Sequence, residues 1–221
     1  ALEEEFANAT GGNLENFLKL DRFDRLFLGE KDNLASENPS KYLLYQDALL
    51  GIFDYHLQGK DAAGYYRRLA QELEGCVLEA GCYTRLFAYY HCLAQVLSEK
   101  ADLGVKIKAA YDAHDLSTLQ SISEEKIPHI ITQMWKLKDL REDLWMEDGK
   151  PFGYELIDLR LGGVLTRLES CSRRLEKYMQ GALPKLEELE GERLPYFGEG
   201  ETAIENRWQR AISGADLTDT I

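Results

Sequence analysis

Glu142, Asp143, Glu147 and Asp148 gather around Trp145 in a chain of 221 residues. Two carboxyls are the apparatus of glycosidic hydrolysis, but that chemistry needs them held across one sugar ring in environments that split their pKa values. Spacing along a helix does not supply this, and the run reads first as a solvated helix face. The histidines, His56, His91, His114 and His129, include no i, i+4 pair of the kind that holds a metal on a helix, so no metal is expected. Cys76, Cys82, Cys92 and Cys171 match neither a zinc ribbon nor a Cys-x-x-Cys redox pair and read as buried thiols. The sequence has no Gly-x-Ser-x-Gly elbow, phosphate loop or dinucleotide fingerprint, and no cofactor is expected.

Aromatic residues are dense in the first ninety positions, where Tyr42, Tyr45, Phe53, Tyr55, Tyr65, Tyr66, Tyr83, Tyr89 and Tyr90 fall. Sugars stack on such rings, yet tyrosine equally fills a helical core with its hydroxyl at a polar rim. The elements that must position these side chains are helices. Three stretches carry apolar residues at alternating steps of three and four, the period of one helix face. The first joins Cys82, Leu86, Tyr90, Leu93 and Leu97, widened by Tyr83 and Phe87. The second runs through Ile127, Ile130, Met134, Leu137, Leu140 and Leu144, with Ser123, Glu124 and Glu125 ahead as an expected cap. The third, Ile157, Leu161, Val164, Leu168, Cys171, Leu175 and Tyr178, is close to a coiled-coil seam. Gly162 and Gly163 interrupt it, and read as packing glycines that admit another backbone.

Gly149 to Phe152 separates the second and third helices, which should form an antiparallel hairpin. Gly181 and Pro184 end the third; a short acidic turn over Leu186 to Glu190 and an amphipathic piece from Ile204 to Ile212 follow. Before Ala62 the pattern changes. Residues 13–27 read as helix, 32–40 as a polar loop closing in Asn38-Pro39-Ser40, and 41–46 as a short buried strand or the opening of a helix. The expected fold is an all-α antiparallel bundle over 62–195, with 1–61 as a distinct N-terminal segment and 196–221 as a tail.

Lys and Arg total 26 against 39 Asp and Glu, a formal charge of −13, which repels a phosphate backbone and argues against nucleic acid. No stretch reaches the roughly 18 apolar residues that span a bilayer, and Leu2-Glu3-Glu4-Glu5 is no signal segment, so a cytoplasmic protein without a membrane partner is expected. The chain opens at Ala1 within apparent helix, which suggests a piece of a longer protein and leaves room for an upstream signal peptide.

Asn38-Pro39-Ser40-Lys41-Tyr42-Leu43-Leu44-Tyr45-Gln46-Asp47, with Leu49-Leu50-Gly51-Ile52-Phe53-Asp54, resembles bacterial exo-β-N-acetylglucosaminidases of glycoside hydrolase family 20 that carry a helical C-terminal domain. Leu144-Trp145, Lys150 to Glu155, Asp158 to Gly163 and Arg167 to Ser170 form a second matching stretch; Leu186 to Pro195 and Asn206 to Arg210 are weaker ones. The resemblance implies a preceding (β/α)₈ barrel that bears catalysis, with 1–61 as the last part of that barrel. It implies substrate-assisted hydrolysis, in which the substrate acetamide attacks the anomeric carbon while a Glu acts as acid and an Asp orients the acetamide. That Asp-Glu pair has no match here, so this chain is expected to be inactive alone.

The family also has a Tyr-x-Asp on a late barrel strand, and Tyr45-Gln46-Asp47 fits it. By resemblance, Tyr45 bonds the acetamide carbonyl, Asp47 binds sugar hydroxyls and Trp145 is a further candidate to stack on substrate. The implied partners are an N-acetylhexosamine-terminated glycan, the chain's own barrel and a second copy in a homodimer. A lone barrel strand would leave its backbone unpaired, so residues before Ala62 are expected to be helical here or to self-associate. The competing reading is an independent helical interaction module whose apolar stripes serve a partner protein.

Overall fold

A computed structural model describes residues 1–32 and 37–196, and the regular elements among them are helices. In chain order these are α1 (Leu2–Thr10), α2 (Leu14–Leu18), α3 (Pro39–Tyr45), α4 (Ala62–Cys76), α5 (Thr84–Lys100), α6 (Leu103–Asp112), α7 (Leu116–Ser121), α8 (Ile127–Asp148), α9 (Tyr154–Met179) and α10 (Glu187–Glu190). Side chains set several of the starts. Asn13, Asn38, Asp61 and Asp115 each accept a backbone N–H three residues on, at 2.9–3.1 Å, which satisfies a donor that the helix cannot use.

The bundle is layered α4, α5, α8, α9. Three contacts fix α5 and α8 as antiparallel, because the numbering runs in opposite senses across them. Arg85 pairs with Glu147, the Cys92 thiol lies 3.8 Å from the Gln133 carbonyl, and Lys126 pairs with Glu99. The expected α8–α9 hairpin forms, with Gly149 ending α8 and Gly153, at φ +95°, opening α9. Its stripes meet the core as expected: Ile127, Ile130, Met134 and Leu137 on α8, and Leu161, Val164, Leu168, Cys171 and Leu175 on α9, are buried.

Three local expectations need correction. Ser123 does not cap α8; α7 continues through a π-helical turn, Ile122–Lys126, directly into it. Pro128 supplies a reason, since it has no N–H and its ring crowds the carbonyl four residues back, inside that turn. Ser123 is instead buried and meets the Ser172 hydroxyl of α9 at 2.8 Å. A Cβ on Gly162 would meet nothing within 4 Å, so this glycine does not admit a neighbouring backbone. Cys82 is exposed, while Cys76, Cys92 and Cys171 are buried. Of the two readings left open for residues 41–46, the helix holds over 41–45, with Asn38 and Pro39 in the cap and first-turn positions of α3.

The core carries no break at Ala62. Phe23, Leu43, Leu44, Leu49 and Leu57 share one buried cluster with α4 to α9 and with Leu186 and Leu189. These side chains from Phe23 to Leu57 therefore share one core with the bundle. The amphipathic piece at 204–212 and most of the tail lie outside the described residues.

Candidate functional site

Tyr45 and Asp47 stand where α3 ends, and the end of that helix separates them. Gln46 leaves helical geometry at ψ 132°, and Asp47 turns inward to accept the N–H groups of Leu49 and Leu50 at 2.9 and 3.0 Å. Its other oxygen pairs with the Arg167 Nε of α9. Burial raises the Asp47 pKa, but Arg167 and the two amides outweigh it and hold the carboxyl below its ordinary value.

Beneath this turn Lys100 is buried, and its ammonium donates to the carbonyls of Leu43 and Gln46 at 3.0 and 2.7 Å. Those carbonyls lie at the C-terminal end of α3, where unpaired acceptors and the helix dipole favour a cation. Burial pushes the Lys100 pKa down to about 8, against the pull of Asp47 and Asp54. Gln46 donates to Asp54 at 2.9 Å and accepts the Phe53 N–H at 2.8 Å. Arg193 closes the far side. Its Nε lies 3.2 Å from Asp54, and its terminal nitrogens donate to the carbonyls of Leu49 and Leu50. Burial raises the Asp54 pKa even beside Arg193. Asp47 is thus committed to a closed ionic turn whose chemistry is positional.

Tyr45 remains half-buried, packed against the core, and Tyr89 of α5 is half-buried as well. From Tyr89 an aromatic band continues outward. The Arg141 guanidinium lies 5.8 Å from the Tyr89 ring centre and 5.5 Å from that of Trp145. Trp145 is half-exposed, and its Nε1 donates to the Lys150 carbonyl at 2.6 Å, which fixes the indole. Tyr154 packs on Trp145 at 6.0 Å between ring centres and donates its hydroxyl to the Lys138 carbonyl. The structure thus gathers Tyr89, Arg141, Trp145 and Tyr154 into one band, and leaves Asp47 outside it.

The acids around Trp145 are exposed, with Glu147 paired to Arg85. Among the described residues no group of three His, Cys, Asp or Glu side chains is placed to hold a metal, and no helix is long and apolar enough to cross a membrane. Sequence reasoning missed Arg141, Arg167, Lys100 and Arg193. Arg141 and Trp145 do stand four apart on α8, but the Tyr89 face they meet belongs to another helix and leaves no signal in spacing.

A family model described as the glycoside hydrolase 20C C-terminal domain matches residues 15–208. The chain belongs to that family. The 20C C-terminal domain match runs through Ala62 without interruption, as the core does, and takes in α3, the ionic turn and the whole aromatic band. A comparison with curated proteins finds no match.

Proposed function

We propose that this chain is the helical accessory domain of a family 20 β-N-acetylhexosaminidase, seated against a barrel that removes terminal N-acetylhexosamine by substrate-assisted, retaining hydrolysis. The observation that carries this reading is the match to the 20C C-terminal domain over residues 15–208. The catalytic Asp-Glu pair belongs to the barrel in this reading, and this chain is inactive alone. Tyr45 offers its hydroxyl to the substrate acetamide, and Trp145 offers ring surface to a sugar. Asp47 serves them as a positioning residue. Its carboxylate is already occupied by Arg167 and two amides, and a direct bond to sugar hydroxyls would require that turn to open.

The test is hydrolysis of an aryl β-N-acetylglucosaminide by this chain and, in parallel, by the complete product of its gene. Activity is expected only in the complete product. There, Tyr45→Phe should lower kcat by about a hundredfold, the scale of losing one donor to a developing anion. Activity in this chain alone would overturn the reading.

The α8–α9 hairpin favours a second reading, a helical interaction module. Phe152 is 86 % exposed and Leu159 70 %, with Met146 and Leu156 also exposed near the same end. A folded complete product without hydrolytic activity would decide for it.

A further inference from the structure

Arg141 is held without being used. Its guanidinium lies over the rings of both Tyr89 and Trp145, and among the described residues no carboxylate or carbonyl bonds it. Two of the nearby charges are engaged elsewhere: Glu147 pairs with Arg85, and Lys138 with Asp158. Tyr89 is half-buried against the core on α5, and Trp145 is held by its bond to the Lys150 carbonyl. Held over both rings, the guanidinium keeps its N–H groups for a ligand, because none of them is used by a hydrogen bond or ion pair among the described residues. The planar N–H fork of a guanidinium matches the two oxygens of a carboxylate. The entropic cost of ordering the long side chain has been met before any ligand arrives.

We propose that Arg141 is the recognition site for one carboxylate carried on a sugar ring, the guanidinium edge taking the carboxylate and the exposed part of Trp145 meeting the ring's C–H surface. The sugar half of this assignment rests on the reading of the chain as part of a glycan-processing enzyme; the carboxylate half rests on the geometry of Arg141. The surroundings limit the ligand to a single charge. Asp139, Glu142, Asp143, Glu147 and Asp148 lie on the same stretch of α8, and a chain of net charge −13 repels a polyanion. The consequence is a site that prefers an acidic saccharide unit over a neutral one of the same shape.

The ¹⁵N-labelled 221-residue chain should be titrated with methyl β-D-glucuronide, methyl β-D-glucoside and acetate in separate NMR experiments. The Trp145 indole N–H, identified through Trp145→Phe, reports binding. Glucuronide should shift it saturably, with an affinity at least tenfold above both glucoside and acetate. Arg141→Gln should lose at least tenfold in glucuronide affinity, and Arg141→Lys should lose nearly as much, because an ammonium keeps the charge but not the fork. Thermal melting shows that each variant is folded; if the Gln variant is not, the Lys variant alone carries the comparison. Equal affinity for glucoside and glucuronide, equal affinity for acetate, unchanged binding in Arg141→Lys, or no saturable shift would each overturn the proposal. None of these outcomes touches the hydrolysis of an N-acetylglucosaminide, so the two readings fail separately.

Discussion

Asp47 and Tyr45 are two positions apart, and the backbone gives them different work. Asp47 joins the buried polar turn and Tyr45 stays half-buried against the core, because α3 stops between them. Substitution should report this difference. Asp47→Ala removes the acceptor for two amides and the partner of Arg167, and is expected to cost about 1–2 kcal/mol in urea unfolding, in the range of a lost cap. Asp47→Asn keeps an acceptor and should cost less, since the half-exposed Arg167 makes the ionic share small. Lys100→Met leaves the Leu43 and Gln46 carbonyls buried without a donor, and about 1–3 kcal/mol is expected to be lost in the same measurement. None of this was legible in the residue types. A lysine at the end of an apolar helix reads as a surface charge until the end of another helix is seen to rest on it.

At the scale of elements, periodicity was a sound guide to the long helices and a poor one to their joints. The stripes of α8 and α9 face the core as read, since burial of one face is what a 3.6-residue period encodes. Asn38-Pro39-Ser40 reads as a turn by composition, but the same residues make a cap and first turn once a helix follows. Six residues of apolar sequence do not choose between strand and helix, and packing against α5 settled it. Gly162 shows the opposite error, where a sequence feature invited a packing role that no neighbour fills. Gly162→Ala should therefore stabilise the protein, by about 0.5–1 kcal/mol through helix propensity, and raise Tm by about 1–4 °C in calorimetry. A fall in Tm would mean that another backbone does approach that position.

For the whole molecule, buried titratable groups set the response to alkali. Lys100 is held down at about 8 by burial, so the folded state releases its proton before the unfolded state does. Its contribution is present above its ordinary value of 10.5 and is lost as pH falls through about 8. The buried thiols run the other way. Burial lifts Cys92 to about 11 and Cys171 to about 12 from an ordinary value of 9.0, and their contribution is present below 9.0 and lost as pH rises through those values. Tyr66 and Tyr89, lifted by burial, add to that loss. Stability followed by urea unfolding should rise slightly between about pH 8 and 9 and fall above about pH 10. Lys100→Met should abolish the rise and leave the fall.

The sequence by itself determined the all-α class, the antiparallel α8–α9 hairpin and the stripes that build the core, because these depend on periods and punctuation within a few residues. It also carried the family resemblance, through short runs of residue types around Tyr45 and Trp145. Tertiary structure alone decided that Phe23, Leu43, Leu49 and Leu57 share the core of the bundle, that Asp47 is bound by Arg167, and that Arg141 lies over rings of two helices. Each of these joins positions far apart in the chain. Their partners are chosen by which helices pack together, a matter of surface shape and buried charge that no local spacing records.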